Sequence, residues 1–302
     1  MLIKTASKDR YWPMFNPLSS WLLNAKSKIY RRVAYGLTSM MLVLGIGVAT
    51  VQPAQAVFNW LDLLMQGVQV YQLSNMSDSQ EVDLGRGIND RLVRSGQVRI
   101  YNDPGLTAYV DDIGQAMAAV SDRPNIPYTF QVVDDDAVNA FATMGGYVYV
   151  TTGLMAAADN EAELAGVIGH EIGHIAGGHA REQMRQAAIA QGITGVLGVE
   201  RDRLVNIGTQ IALQLPASRS AEYEADRHGF YSMGRAGYDQ TGMVTFMQKL
   251  VRQGSPPEFL STHPDARNRV NSLQQLDNED AIPEATYGLN EGAYQSNISS
   301  LR

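Results

Sequence analysis

The sequence predicts an α+β chain, mainly helical, with a small β-sheet whose edge strand flanks one long helix. Three observations predict it. Apolar residues recur at helical spacing over most of the chain after residue 57, capping residues stand where those runs begin, and only two short runs are β-rich. Of the 302 residues, about 246 follow a distinct N-terminal segment, enough for one domain with a short appendage.

Residues 1–56 read as an export signal or an N-terminal membrane anchor. Lys26, Lys28, Arg31 and Arg32 precede an apolar stretch from Val33 to Val51, and Ala54-Gln55-Ala56 supplies the small-x-small pattern of signal cleavage. Left uncleaved, the stretch is long enough to anchor the chain. The expected address is the periplasm or another extracytoplasmic compartment, with any membrane association made through this segment. Its seven basic side chains and one acidic one leave with it, so the net charge moves from −7 to −13. Such an acidic domain argues against nucleic acid as a partner. With no cysteine, the fold owes nothing to disulfides.

From Val57 to about Leu73 the spacing is that of a docking helix. The next helix starts near Asp78, with Glu81 three later completing a capping box, and runs to Arg94. Asp103-Pro104 opens another, an N-cap followed by proline at the first helical position. Two strands follow, Tyr128 to Val133 and Gly146 to Thr151. Gly145-Gly146 fits a turn, and equally an edge strand with bare backbone for an extended peptide, which makes Gly145, Gly146 and Tyr147 substrate-binding candidates. Residues 160 to about 190 predict one long helix, with Glu161 and Glu163 in its first turn. Ala187 to Leu215 is apolar and glycine-rich with a charged break at 200–203, the pattern of a helical hairpin packed on the core. Ser218 to Arg235 predicts a helix ending at Gly237, and Gly242 to Gln253 one more. The main domain is therefore 57–276, and 277–302 reads as a polar, loosely ordered tail.

The long helix carries His170, Glu171 and His174 in the run GVIGHEIGHIAGGH. Positions i and i+4 share a helix face, so two imidazoles can grip one ion. A catalytic zinc takes three protein ligands and keeps a position for water. Glu171, beside the first histidine, can take a proton from that water and pass it to a leaving amine. The third ligand is expected from Glu222 in SRSAEYEADRHGF, with Asp226 one turn later accepting the outer N–H of a ligating histidine. Glu224 with His228 is a rival pair on the same helix, rotated by about 200° at roughly 100° per residue, so both pairs cannot face one ion. A third histidine at metzincin spacing would fall at position 180, which is alanine; His179 is off by one and reads as a packing or hydrogen-bonding residue.

HEIGH, EYEAD within that second run, THPDARNRV at 262–270 and the upstream NAFATMGGYVYVTTGLM together resemble the zinc metallopeptidases that include HtpX, BepA and the CAAX prenyl proteases. The similarity covers Glu81 to Val270, and it implies a zincin-like fold with His170, His174 and Glu222 as zinc ligands, Glu171 as general base and Asp226 behind them. It adds His263 as a fourth ligand or latch over the water position, and Arg269 as a partner for an acid near the site. Met144 departs from the proline usual in the NAFA segment. No tetratricopeptide domain follows the protease within 302 residues and only one apolar segment is present, which implies a short exported member. The expected activity is cleavage of unfolded or misassembled cell-envelope proteins with one Zn2+ per chain. The alternative is a client-holding chaperone or assembly factor on the same scaffold. For an oxyanion donor, Tyr223 and Tyr147 are the nearest candidates in sequence.

Overall fold

Glycines set the centre of the fold. In a computed structural model, which describes residues 76–190, 201–214, 217–252 and 258–301, helix α4 (Glu161–Ala176) is buried along almost its whole length between α7 (Arg219–Ala236) and α8 (Thr241–Arg252). Gly169 and Gly229 meet back to back: a Cβ on Gly229 would lie 2.8 Å from the backbone nitrogen of His170. A Cβ on Gly173 would lie 2.5 Å from the carbonyl of Ala225. Absent side chains let the two backbones approach, which brings residues 170–174 opposite residues 222–226. We expect Gly229→Val to force α4 and α7 apart, lowering unfolding free energy by about 1–3 kcal/mol or more and emptying any metal bound between them. Denaturant unfolding with metal content checks this, against Gly292→Ala, whose Cβ would meet only Asn290 Oδ1 at 3.5 Å.

Around this pair the other elements follow in order. Helix α1 (Asp78–Arg94) starts where expected, but its capping box is Ser77 with Gln80. The Ser77 hydroxyl accepts from Gln80 N and the Gln80 amide oxygen from Ser77 N. Glu81 is thereby freed, and it lies buried against the Arg123 guanidinium. Helix α2 (Pro104–Ala119) has the Asp103 cap and proline start that the sequence predicts, the carboxylate accepting from Gly105 N and Leu106 N.

The sheet is three-stranded with order β1 (Thr129–Val133), β3 (Tyr147–Thr151), β2 (Ala140–Ala142). β3 pairs parallel with β1 and antiparallel with β2, so the strand expected at the edge is central. Its residues Val148, Tyr149 and Val150 are all fully buried, and an uninterrupted apolar run of this kind belongs inside a sheet. The edge strand beside α4 is β2 instead. Gly145 and Gly146 form the turn between β2 and β3 at φ 76° and 94°, which only glycine adopts without strain.

Helix α3 (Thr152–Ala157) leads to α4, capped by Asn160. The single helix expected over 160–190 is two. α4 ends at Ala176, Gly177 and Gly178 turn the chain, the latter at φ 66°, and α5 (His179–Ala190) leaves in a new direction. α6 (Arg201–Gln214) packs on α1 and α5, while the middle of the expected hairpin, residues 191–200, lies outside the described residues. α7 has the Ser218 cap and left-handed Gly237 stop. After α9 (Glu258–Thr262) and α10 (Ala266–Asp280), the segment expected to be loosely ordered forms α11 (Glu291–Asn297). Tyr294 on α11 is buried, its hydroxyl donating to the Met155 carbonyl at 2.6 Å, and Ile298 is buried one turn later. Backbone bonds tie it down as well, Tyr287 bridging to Tyr238 and the Gly288 carbonyl accepting from Ala162 N, contacts that leave no apolar period in the sequence. No helix among the described residues is long and apolar enough to cross a membrane. The N-terminal segment and the docking helix lie outside the described residues.

Candidate metal centre

α4 puts His170 and His174 one turn apart with their Nε2 atoms 3.0 Å from each other. Across the glycine contact, α7 puts Glu222 Oε2 3.5 Å from His170 Nε2 and Oε1 3.3 Å from His174 Nε2. His263, just after α9, brings Nδ1 to 3.2 Å from His170 Nε2 and 3.2 Å from Glu222 Oε2. One donor atom from each of the four residues lies within 4.8 Å of all the others. Tetrahedral bonds of about 2.0–2.1 Å would put zinc donors about 3.3 Å apart, so the spacing fits that ion. His263 therefore joins the donor set, although it is 93 residues from His170 in the chain.

Behind the donors lies a buried salt-bridge network. Asp226 Oδ1 accepts from His170 Nδ1 at 2.9 Å, and Arg269 donates to both Asp226 oxygens at 2.7 and 2.8 Å. Arg269 also reaches Glu222 Oε2 at 2.5 Å. Burial pushes the Glu222 carboxyl up, but hydrogen bonds from His170, His174 and His263 outweigh it and hold the group well below the usual range. Burial lowers His174 to about 3. His170 is raised to about 9, because the carboxylates of Asp226 and Glu222 outweigh burial and the Arg269 charge. A cation arriving between these groups would thus displace a proton from His170.

Glu171 is the exception to this pairing. Both of its oxygens are buried without a hydrogen-bond partner, with His263 Nε2 3.5 Å from Oε1, and burial raises its pKa. Native interiors rarely leave a carboxylate so, which marks a place for a water or substrate group. Beside it opens a cleft bordered by His174, His263 and the β2 edge at Phe141 and Ala142, with Met184, Ile211 and Ala212 adding apolar lining.

Several sequence candidates lie elsewhere. Gly145 and Gly146 are buried, and a Cβ on Gly145 would meet Glu81 and Val82 of α1; Tyr147 is in the central strand paired with Thr129. The wall of the cleft is formed instead by Phe141 to Met144, from the end of a three-residue strand too short to show alternation and the turn that follows it. Tyr223 donates to Asp265 Oδ2 at 3.2 Å. The rival pair Glu224 and His228 stands outside the donor set, with His228 Nδ1 bonded to Asp122. His179 is a hydrogen-bonding residue as expected, and its partner is His174 Nδ1 at 2.8 Å.

The model of Peptidase family M48 matches residues 104–277, which contain His170, Glu171, His174, Glu222, Asp226, His263 and Arg269. The chain belongs to peptidase family M48. It is 31% identical over 229 residues to the beta-barrel assembly-enhancing protease of Escherichia coli (strain K12), which covers 67% of this chain and 46% of that protein. It is 36% identical over 166 residues to the mitochondrial metalloendopeptidase OMA1 of Arabidopsis thaliana, covering 53% and 34%. It is 28% identical over 255 residues to metalloprotease LoiP of Escherichia coli (strain K12), covering 80% and 98%. The chain thus spans about half the length of the first of these M48 relatives.

Proposed function

We propose that this M48 chain is a zinc-dependent endopeptidase that cuts unfolded or misassembled proteins of the cell envelope. His170, His174 and Glu222 hold the zinc, Glu171 is the general base, Asp226 orients His170, and His263 is a latch. The observation that carries the reading is the convergence of these donors beside the partnerless carboxylate of Glu171.

Zinc held there would acidify a water and polarise a carbonyl. Glu171 takes the proton of that water and returns it to the departing amine, a role for which a buried carboxyl of raised pKa is suited. The peptide lies along β2, whose only sheet neighbour among the described residues is β3, and pairs with its free edge. The apolar cleft favours chains that expose hydrophobic side chains, as unfolded proteins do. Residues 1–56 deliver the domain to the envelope as a cleaved signal or an anchor.

His263 Nδ1 stands at the fourth corner of the donor set, so it competes for the position that water and substrate need. If the latch is closed nine-tenths of the time, His263→Ala raises casein cleavage about tenfold. The test uses purified residues 57–302 with zinc quantified. Equal or lower activity in His263→Ala would remove the latch, and full zinc without cleavage in any variant would favour the client-holding protein.

A further inference from the structure

We infer that His179 and the Gly177-Gly178 turn form a second support for the metal site, in which a neutral imidazole orients His174. The inference rests on the zinc reading of the donor set. His170 and His174 are held differently. His170 passes its outer nitrogen to the buried Asp226 carboxylate, itself clamped by Arg269. His174 passes its outer nitrogen to a third histidine, with 2.8 Å between the two Nδ1 atoms.

The geometry fixes the protons. His174 Nε2 faces Glu222 and His170, so a metal takes that lone pair and the remaining ring proton sits on Nδ1. Nδ1–H can then only donate, and His179 Nδ1 must accept. His179 accordingly carries its own proton on Nε2, which points at Glu224 Oε2 at 3.4 Å. Ligating histidines are usually held through the second nitrogen by a carboxylate, carbonyl or water, and loss of that partner weakens metal binding. A neutral imidazole does the orienting without adding another negative charge to Glu171, Glu222 and Asp226.

His179 could not do this on a continuous helix. Five residues at about 100° each would carry it roughly 140° away from the His174 face. The turn at 177–178 folds it back. Gly177 has φ −71°, open to any residue, yet a Cβ there would lie 2.5 Å from His179 Nε2. Its lack of a side chain is thus room for the imidazole ring.

His179 is a positioning residue, so the test reads the metal directly. Zinc affinity of the full chain is measured by competition with a chelating dye, and the visible spectrum is recorded after cobalt substitution. His179→Phe keeps a ring but offers no acceptor, and it should weaken zinc about 10- to 100-fold and shift the cobalt spectrum. His179→Asn restores an acceptor near the Nδ1 position and should stay within about threefold of wild type. Gly177→Ala, which leaves every histidine in place but crowds the ring, should fall with His179→Phe. Glu224→Gln should change little, since Glu224 is 54% exposed and its contact is long. Equal affinity in His179→Phe and wild type would overturn the inference, as would equal losses in His179→Phe and His179→Asn, which would mean packing. If wild type itself takes up no zinc, it is the metal reading that fails.

Discussion

Glu171→Gln protein is expected to retain zinc near one per chain and to lose about 100- to 10,000-fold in turnover, the range that a positioned general base supplies. The substitution keeps the shape of the side chain. It breaks no hydrogen bond, because neither Glu171 oxygen has one, and it removes a buried charge that burial already disfavours. The melting temperature of the metal-free protein should therefore hold or rise. His174→Ala, by contrast, should lose zinc and activity together. Zinc analysis alongside casein cleavage separates the two, and undiminished cleavage by pure Glu171→Gln protein would overturn the assignment of the base.

Arg269→Met should produce the largest loss of stability. Arg269 is fully buried and its guanidinium serves both Asp226 oxygens and Glu222 Oε2. Removing one side of a buried ion pair leaves the other uncompensated, which costs about 3–5 kcal/mol. Zinc should be lost as well, since the same carboxylates position His170 and complete the donor set. Arg269→Lys should rescue little, because a single ammonium cannot reproduce the two parallel bonds to Asp226. Urea unfolding reads the effect; a change below about 1 kcal/mol would mean that the network contributes no more than a surface pair.

The sequence by itself determined what lies within one helix turn or one cap. His170 and His174 share a helix face with Glu171 beside them, and Glu222 and Asp226 share another, because 3.6-residue periodicity is a local property of the chain. The Asp103, Asn160 and Ser218 caps and the Gly237 stop follow from backbone groups that need a partner within three residues.

Tertiary structure alone decided the rest. YVYV reads as a strand, but which strands flank it depends on the register of distant partners, so its central place in the sheet was not legible. The two-helix course of 161–190 turns on Gly178 taking a left-handed conformation, which glycine permits but does not require. Family resemblance pointed to His263 and Arg269, yet only the fold brings them to His170 and Asp226. Their contacts bridge 93 and 43 residues, and no local pattern encodes a separation of that length. The burial of Tyr294 and Ile298 likewise needs a surface from distant residues, the Met155 carbonyl that Tyr294 meets lying 139 positions earlier. Local spacing chose which side chains could serve one ion, and the absence of side chains at Gly169, Gly173 and Gly229 let the two helices come close enough for them to do so.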